Sequence, residues 1–135
     1  MSEVVKSRPR YGVMRLIDAT GYRLPLAGFV SILHRVSGML MFLLLPFILY
    51  LLDKSLTSEL SFAELQNFTS GIFVKLVILA LVWAYLHHFC AGVRHLFMDF
   101  HFGLNKDTAR KSAVGVLSVS VTLAALIGLK LFGVF

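Results

Sequence analysis

Cysteine occurs once in the 135 residues, at Cys90. A single thiol excludes an intrachain disulfide and makes a thiolate metal site implausible. Cys90 reads as a small apolar packing residue. Acidic side chains are also scarce. Seven Asp and Glu stand against thirteen Lys and Arg, for a net charge of +6. Only 15% of residues are charged, 58% are hydrophobic, and the mean hydropathy is +0.82. A soluble domain of this size carries more charge. The basic excess therefore reads as a membrane feature, with no nucleic-acid partner implied. There is no internal repeat, low-complexity tract or linker that would separate domains. Residues 1–23 lack the apolar core of a secretory signal, so they read as an uncleaved arm. No flavin motif and no iron–sulfur cysteines are present, so any electrons handled here come from elsewhere.

What is abundant is long apolar sequence. A membrane-crossing helix needs about 20 mostly apolar residues, and three segments qualify, at about 24–52, 71–97 and 112–135. The expected fold is all-α, a single domain over 1–135 with three transmembrane helices and a short interfacial helix in the first loop. Ser61, Phe62, Ala63 and Glu64 fit a capping box that would open that short helix. Pro46 lies within the first span and is expected to bend it, because its ring crowds the carbonyl of Phe42. Lys6, Arg8, Arg10, Arg15 and Arg23 fill the N-terminal arm, and Lys106, Arg110 and Lys111 fill the second loop. Cytoplasmic loops concentrate such residues. The N-terminus and second loop are thus expected on the cytoplasmic side of a bacterial inner membrane, with the matrix side of a mitochondrion as the alternative. Lys130 can snorkel to the far interface.

Ionisable residues inside a span are costly and mark a cavity, cofactor or partner. In SILHRVSG, Ser31, Arg35 and Gly38 share one helical face and His34 lies at its edge. An arginine there can also snorkel to headgroups. In HHFCAGVRHLFMD, His88, Gly92, His95 and Asp99 form one narrow stripe. His87 and Arg94 point elsewhere. A neutral imidazole nitrogen ligates haem iron well. Gly92 would leave room for a flat macrocycle or for a close helix. Arg35, His34, Arg94 and His95 are candidate partners for anionic propionates. A His–Asp chain also suits proton relay. His88 lies about 16 Å along the helix from Asp99, deeper in the bilayer. Spacing alone leaves haem ligation and a buried polar network both open.

These two motifs, in this order on the first two of three spans, resemble the cytochrome b556 subunits of succinate dehydrogenase (complex II), the larger of two small membrane anchors. The resemblance extends to Arg8-Pro9, to Arg23-Leu24-Pro25 and to Lys111-Ser112-Ala113, and so covers nearly the whole chain. It implies that His88 is the axial ligand of a haem b whose other ligand comes from a second anchor subunit. It implies that Ser31 and Arg35 line a ubiquinone site and that His34 and His95 lie near the haem propionates. Asp99 would stand near the quinone-side proton path. Partners would be the second anchor, an iron–sulfur subunit and a flavoprotein that oxidises succinate with FAD. The function so implied is that of a non-flavin subunit of succinate:ubiquinone oxidoreductase, not catalytic alone. Other readings are a structural three-helix subunit, a proton-conducting or transporter subunit, and the anchor of a quinol:fumarate reductase. His87 and His101 match no motif position, and the RPRYGVMRL stretch departs from relatives with a longer motif after RP.

Overall fold

A computed structural model describes residues 12, 17, 21 and 23–134. Most of the basic N-terminal arm, including Arg8 and Pro9, lies outside the described residues, as does Phe135. Pro25 stands at the cap of the first helix with φ −65°, the angle its ring imposes. Its carbonyl accepts from the N–H groups of Gly28 and Phe29 at 2.9 and 3.1 Å. Helix α1 then runs Leu26–Thr57, 32 residues without interruption across Pro46. At about 1.5 Å per residue it is longer than a hydrocarbon core of about 30 Å.

Helix α2, Glu59–Ser70, is the short helix of the first loop, and its cap lies three residues before the expected one. Ser58 is extended and its hydroxyl accepts from the N–H of Ser61 at 3.1 Å, while the N–H of Ser58 donates to Ser61 Oγ at 3.2 Å. Ser61 is therefore the third residue inside the helix. A capping side chain must come from a residue in extended conformation, and only Ser58 has one here. Ser61 Oγ also donates to the Lys54 carbonyl at 2.7 Å, tying α2 to the end of α1. Leu65 and Phe68 of α2 line a shallow cavity together with Phe47, Tyr50 and Leu51 of α1.

Helix α3, Ile72–Asp99, returns across the membrane, and α4, Lys106–Leu131, crosses again. Between them His101 and Gly103 take positive φ values of 63° and 77° and reverse the chain. The helix that carries the third apolar run begins before residue 112, because the charged segment Lys106–Lys111 is itself helical. Asn105 caps it and Asp107 sits in its first turn, where a negative charge suits the helix dipole. At the other end Lys130 lies in the last turn. Lys75 Nζ stands 5.8 Å from the Phe132 ring centre, so the start of α3 and the end of α4 reach the same level.

Helix α3 packs against both α1 and α4, which also touch each other. Val30 of α1, Ala91 of α3, and Ala113 and Val116 of α4 form the small core, with Leu26, Ala27, Cys90 and Leu117 against it. The buried residues of α4 make a stripe of mostly small side chains: Ala113, Val116, Ser120, Ala124 and Gly128. Small residues let backbones approach where lipid removes any hydrophobic drive between helices. The three spans all meet the length and composition needed to cross a bilayer. Most of their large apolar side chains face outward, and Phe42 and Phe73 are each 75% exposed.

A Cβ at Gly128 would lie 3.2 Å from Cδ1 of Leu79. Gly128→Leu is expected to separate α3 from α4 at a cost of about 1–3 kcal/mol. Thermal melting of the purified, assembled protein reads this directly, and an unchanged Tm contradicts the packing described.

Candidate functional site

The polar residues of the first two spans meet at one crossing. Gly38 of α1 faces His88 of α3, and a Cβ at Gly38 would stand only 2.8 Å from His88 Cε1. Gly92 of α3 faces His34 of α1, with a would-be Cβ 3.4 Å from His34 Nε2. Each helix thus contributes a histidine and a glycine that receives the other's histidine. The His34 and His88 rings stack with centres 4.1 Å apart and planes 14° from parallel. His95, two turns beyond His88, tilts against His34 at 5.0 Å. Of the two openings that Gly92 could serve, the structure uses it for a close helix.

The His88 ring is held at one nitrogen. Nδ1 lies 2.9 Å from the His34 carbonyl and 3.2 Å from Ser37 Oγ. The Ser37 hydroxyl donates to the same carbonyl at 2.9 Å. A carbonyl only accepts, so the short contact requires a proton on Nδ1. In the neutral ring this leaves the Nε2 lone pair available. Such a hydrogen bond from the far nitrogen is the usual way a ligating histidine is oriented. Nε2 has no hydrogen-bond partner among the described residues.

His87 is placed quite differently. It is 1% exposed, wedged between α3 and α1, with Nε2 3.5 Å from the Val30 carbonyl and its ring 5.6 Å from that of Trp83. Its Nδ1 and Trp83 Nε1 are buried without a partner. His87 is a core residue of this chain, bordered by a small cavity that Leu33, Val36, Leu40 and Ala84 also line.

Ser31 and Arg35 occupy the next strip of α1. Ser31 is half-buried and Arg35 is exposed, and neither makes a hydrogen bond or ion pair among the described residues. Asp99 is exposed in the last turn of α3, and His101 is exposed in the turn after it. The structure therefore gathers His34, Gly38, His88, Gly92 and His95, leaves Ser31 and Arg35 open beside them, and leaves Asp99 at the rim. Arg94 lies off the histidine stripe, as its helical position predicts. It turns away from the histidines and donates from Nε to Ser112 Oγ of α4 at 2.9 Å. Its place lies about 120° round α3 from His88, at 100° per residue. Ser37 was not singled out in the sequence, although its step of three from His34 was the available signal.

Among the described residues no group of three or more His, Cys, Asp or Glu is arranged to hold a metal ion. The cluster does fit a haem that takes one axial ligand from this chain. His88 has an oriented ring with one nitrogen unpartnered among the described residues, and the residue is only half-buried. Three apolar helices with imidazoles gathered between the first two define a multi-pass membrane subunit.

Comparison with known proteins agrees. The family model described as "Succinate dehydrogenase/Fumarate reductase transmembrane subunit" matches residues 16–127. A succinate dehydrogenase cytochrome b556 subunit from Coxiella burnetii is 36% identical over 113 residues, covering 83% of this chain and 90% of that protein. The subunit of the same name from Paracoccus denitrificans is 35% identical over 105 residues, covering 78% and 81%. One from Rickettsia felis is 28% identical over 108 residues, covering 78% and 82%. The chain belongs to the family of succinate dehydrogenase and fumarate reductase transmembrane subunits.

Gly38→Ala is expected to push His88 from its seat and to cost about 1–3 kcal/mol. The same change in a His88→Ala background should cost clearly less, because the colliding ring is gone. Equal losses of Tm in both backgrounds would show that the Gly38–His88 contact is not what limits this crossing.

Proposed function

We propose that this chain is a membrane anchor of succinate:ubiquinone oxidoreductase, helping to bind haem b and ubiquinone so that electrons from succinate reduce quinone within the membrane. The observation that carries the haem reading is His88, hydrogen-bonded through Nδ1 to the His34 carbonyl and free at Nε2. On this reading His88 is the axial ligand from this subunit, and the second ligand comes from a second small anchor subunit. Haem, when bound, supplies a one-electron redox centre. His34 and His95, ring against ring beside His88, would lie near the propionates.

Ser31 and Arg35 form the proposed quinone side. Reducing a quinone to a quinol takes two electrons and two protons. Ser31 would donate a hydrogen bond to a ring carbonyl. Arg35, always charged, would stabilise the negative charge that develops on the ring oxygens. Asp99, exposed at the end of α3, would pass protons from the aqueous side. An iron–sulfur subunit would deliver the electrons, and a flavoprotein carrying FAD would take them from succinate. This chain binds and orients, and is not catalytic alone. The basic arm and the basic first turns of α4 favour an inner-membrane orientation with both on the cytoplasmic side. The family also includes fumarate reductase anchors, in which the same site would serve the reverse reaction.

Two measurements test this. His88→Ala should weaken or shift the reduced-minus-oxidised b-type absorption of the purified complex, whereas His87→Ala should leave the band position in place. An unchanged spectrum in His88→Ala overturns the ligand assignment. Arg35→Ala should lower succinate-dependent ubiquinone reduction about tenfold or more with normal assembly, from the loss of one charge-assisted contact. Normal turnover in an assembled Arg35→Ala complex overturns the quinone assignment.

A further inference from the structure

Arg94 carries a permanent charge into the helical part of the molecule, and nothing there balances it. The residue is 7% exposed. Its only partner among the described residues is the neutral Ser112 hydroxyl, whose own proton goes to the Ala109 carbonyl at 3.1 Å. A buried guanidinium without an anion is expensive, because its hydration is lost and only part of that loss is recovered from dipoles. Arginine has five N–H donors in a planar fork suited to phosphate and carboxylate oxygens, and here only Nε is used.

The charge lines a groove. Between the second half of α3 and the first half of α4 runs an open channel of about 650 Å³, walled by Phe89, Val93, Phe97, Phe102 and Val119, with Arg94 and Ser112 on its side. Its walls are otherwise apolar, and it lies on the side of α3 away from the His88 stripe. Gly115 of α4 also borders it, and a Cβ there would meet nothing within 4 Å. Nearby, α4 opens with Lys106, Arg110 and Lys111, all exposed. A long apolar channel along the spans, a buried fork of unused donors and a cationic rim together select a molecule with an anionic phosphate head and acyl tails.

We propose that this groove binds one anionic phospholipid, its phosphate paired with Arg94 and its acyl chain lying along Phe89, Val93 and Val119. The site is separate from the haem and quinone region, and its occupancy does not depend on either reading. The lipid supplies the counter-charge that the described residues do not, and fills the gap between α3 and α4. Zwitterionic lipid fits the channel equally but brings its own cation to the head, next to the basic rim.

The test uses the intact complex in nanodiscs doped with phosphatidylglycerol or phosphatidylcholine bearing a diazirine on one acyl chain. Adducts are mapped by mass spectrometry to the α3 and α4 segments that wall the groove. The wild type should label there about tenfold more with phosphatidylglycerol than with phosphatidylcholine, whose head adds a choline cation against Arg94 and the basic rim. Arg94→Gln should abolish the preference, and Arg94→Lys should keep most of it. Gly115→Phe, which leaves Arg94 and its partner untouched, should suppress labelling by both lipids. Equal labelling by the two lipids in the wild type overturns the proposal. So does a preference that survives Arg94→Gln. So does an absence of groove adducts, which would mean that a partner helix fills the channel. Loss of the preference when inorganic phosphate is added would also overturn it, since the head site would then take free anion without needing the tails.

Discussion

Everything polar in the spans depends on how closely α1 and α3 approach. At their crossing each backbone offers a glycine where the other offers an imidazole, so two aromatic rings fit where two ordinary side chains would hold the helices apart. In lipid, helices gain little from hiding apolar surface against one another, and close van der Waals contact has to do the joining. The His34 carbonyl adds direction to that contact by accepting from Ser37 and His88 together. Stacking alone would allow the His88 ring to spin. The carbonyl selects one rotation and one tautomer, and with them the nitrogen that remains to meet a ligand.

The adjacent histidines show how far a single step of 100° divides roles. His87 is consumed by packing inside the chain, against Val30 and Trp83. His88 turns to Gly38 and His34 of α1, half-buried and with one ring nitrogen unpartnered among the described residues. The same rotation separates Arg94 from His95. One turns to Ser112 and a lipid-facing groove, and the other turns to His34. Helix α3 therefore serves two spans at once, α1 on one side and α4 on the next.

Much of this was legible in the residues. Three apolar runs announce three spans, and the four-three-four spacing of His88, Gly92, His95 and Asp99 defines a face by helical period alone. Period cannot say which helix lies opposite. The pairing of Gly38 with His88 and of Gly92 with His34 was therefore beyond it, though all four positions stood out singly. The capping residue was misplaced because Ser58 and Ser61 are equally good caps by type. Only the end of α1 at Thr57 decides between them. The third apolar run, from about residue 112, says where lipid can start, whereas Asn105 and Asp107 mark where the helix starts. Arg94 was grouped with the propionate partners on depth, and its azimuth sends it elsewhere.

The bond from Ser61 Oγ to the Lys54 carbonyl links the first turn of α2 to the last turn of α1, across a junction of one non-helical residue. Two helices joined so tightly cannot slide or swivel independently. The chain that climbs back through α3 starts at Gly71, directly after the last residue of α2. The vertical position of His88 relative to His34 is then a matter of counting residues around a rigid corner. This corner works as a ruler at the far end of the bundle, set by three serine and lysine atoms that never approach the imidazoles whose height they measure.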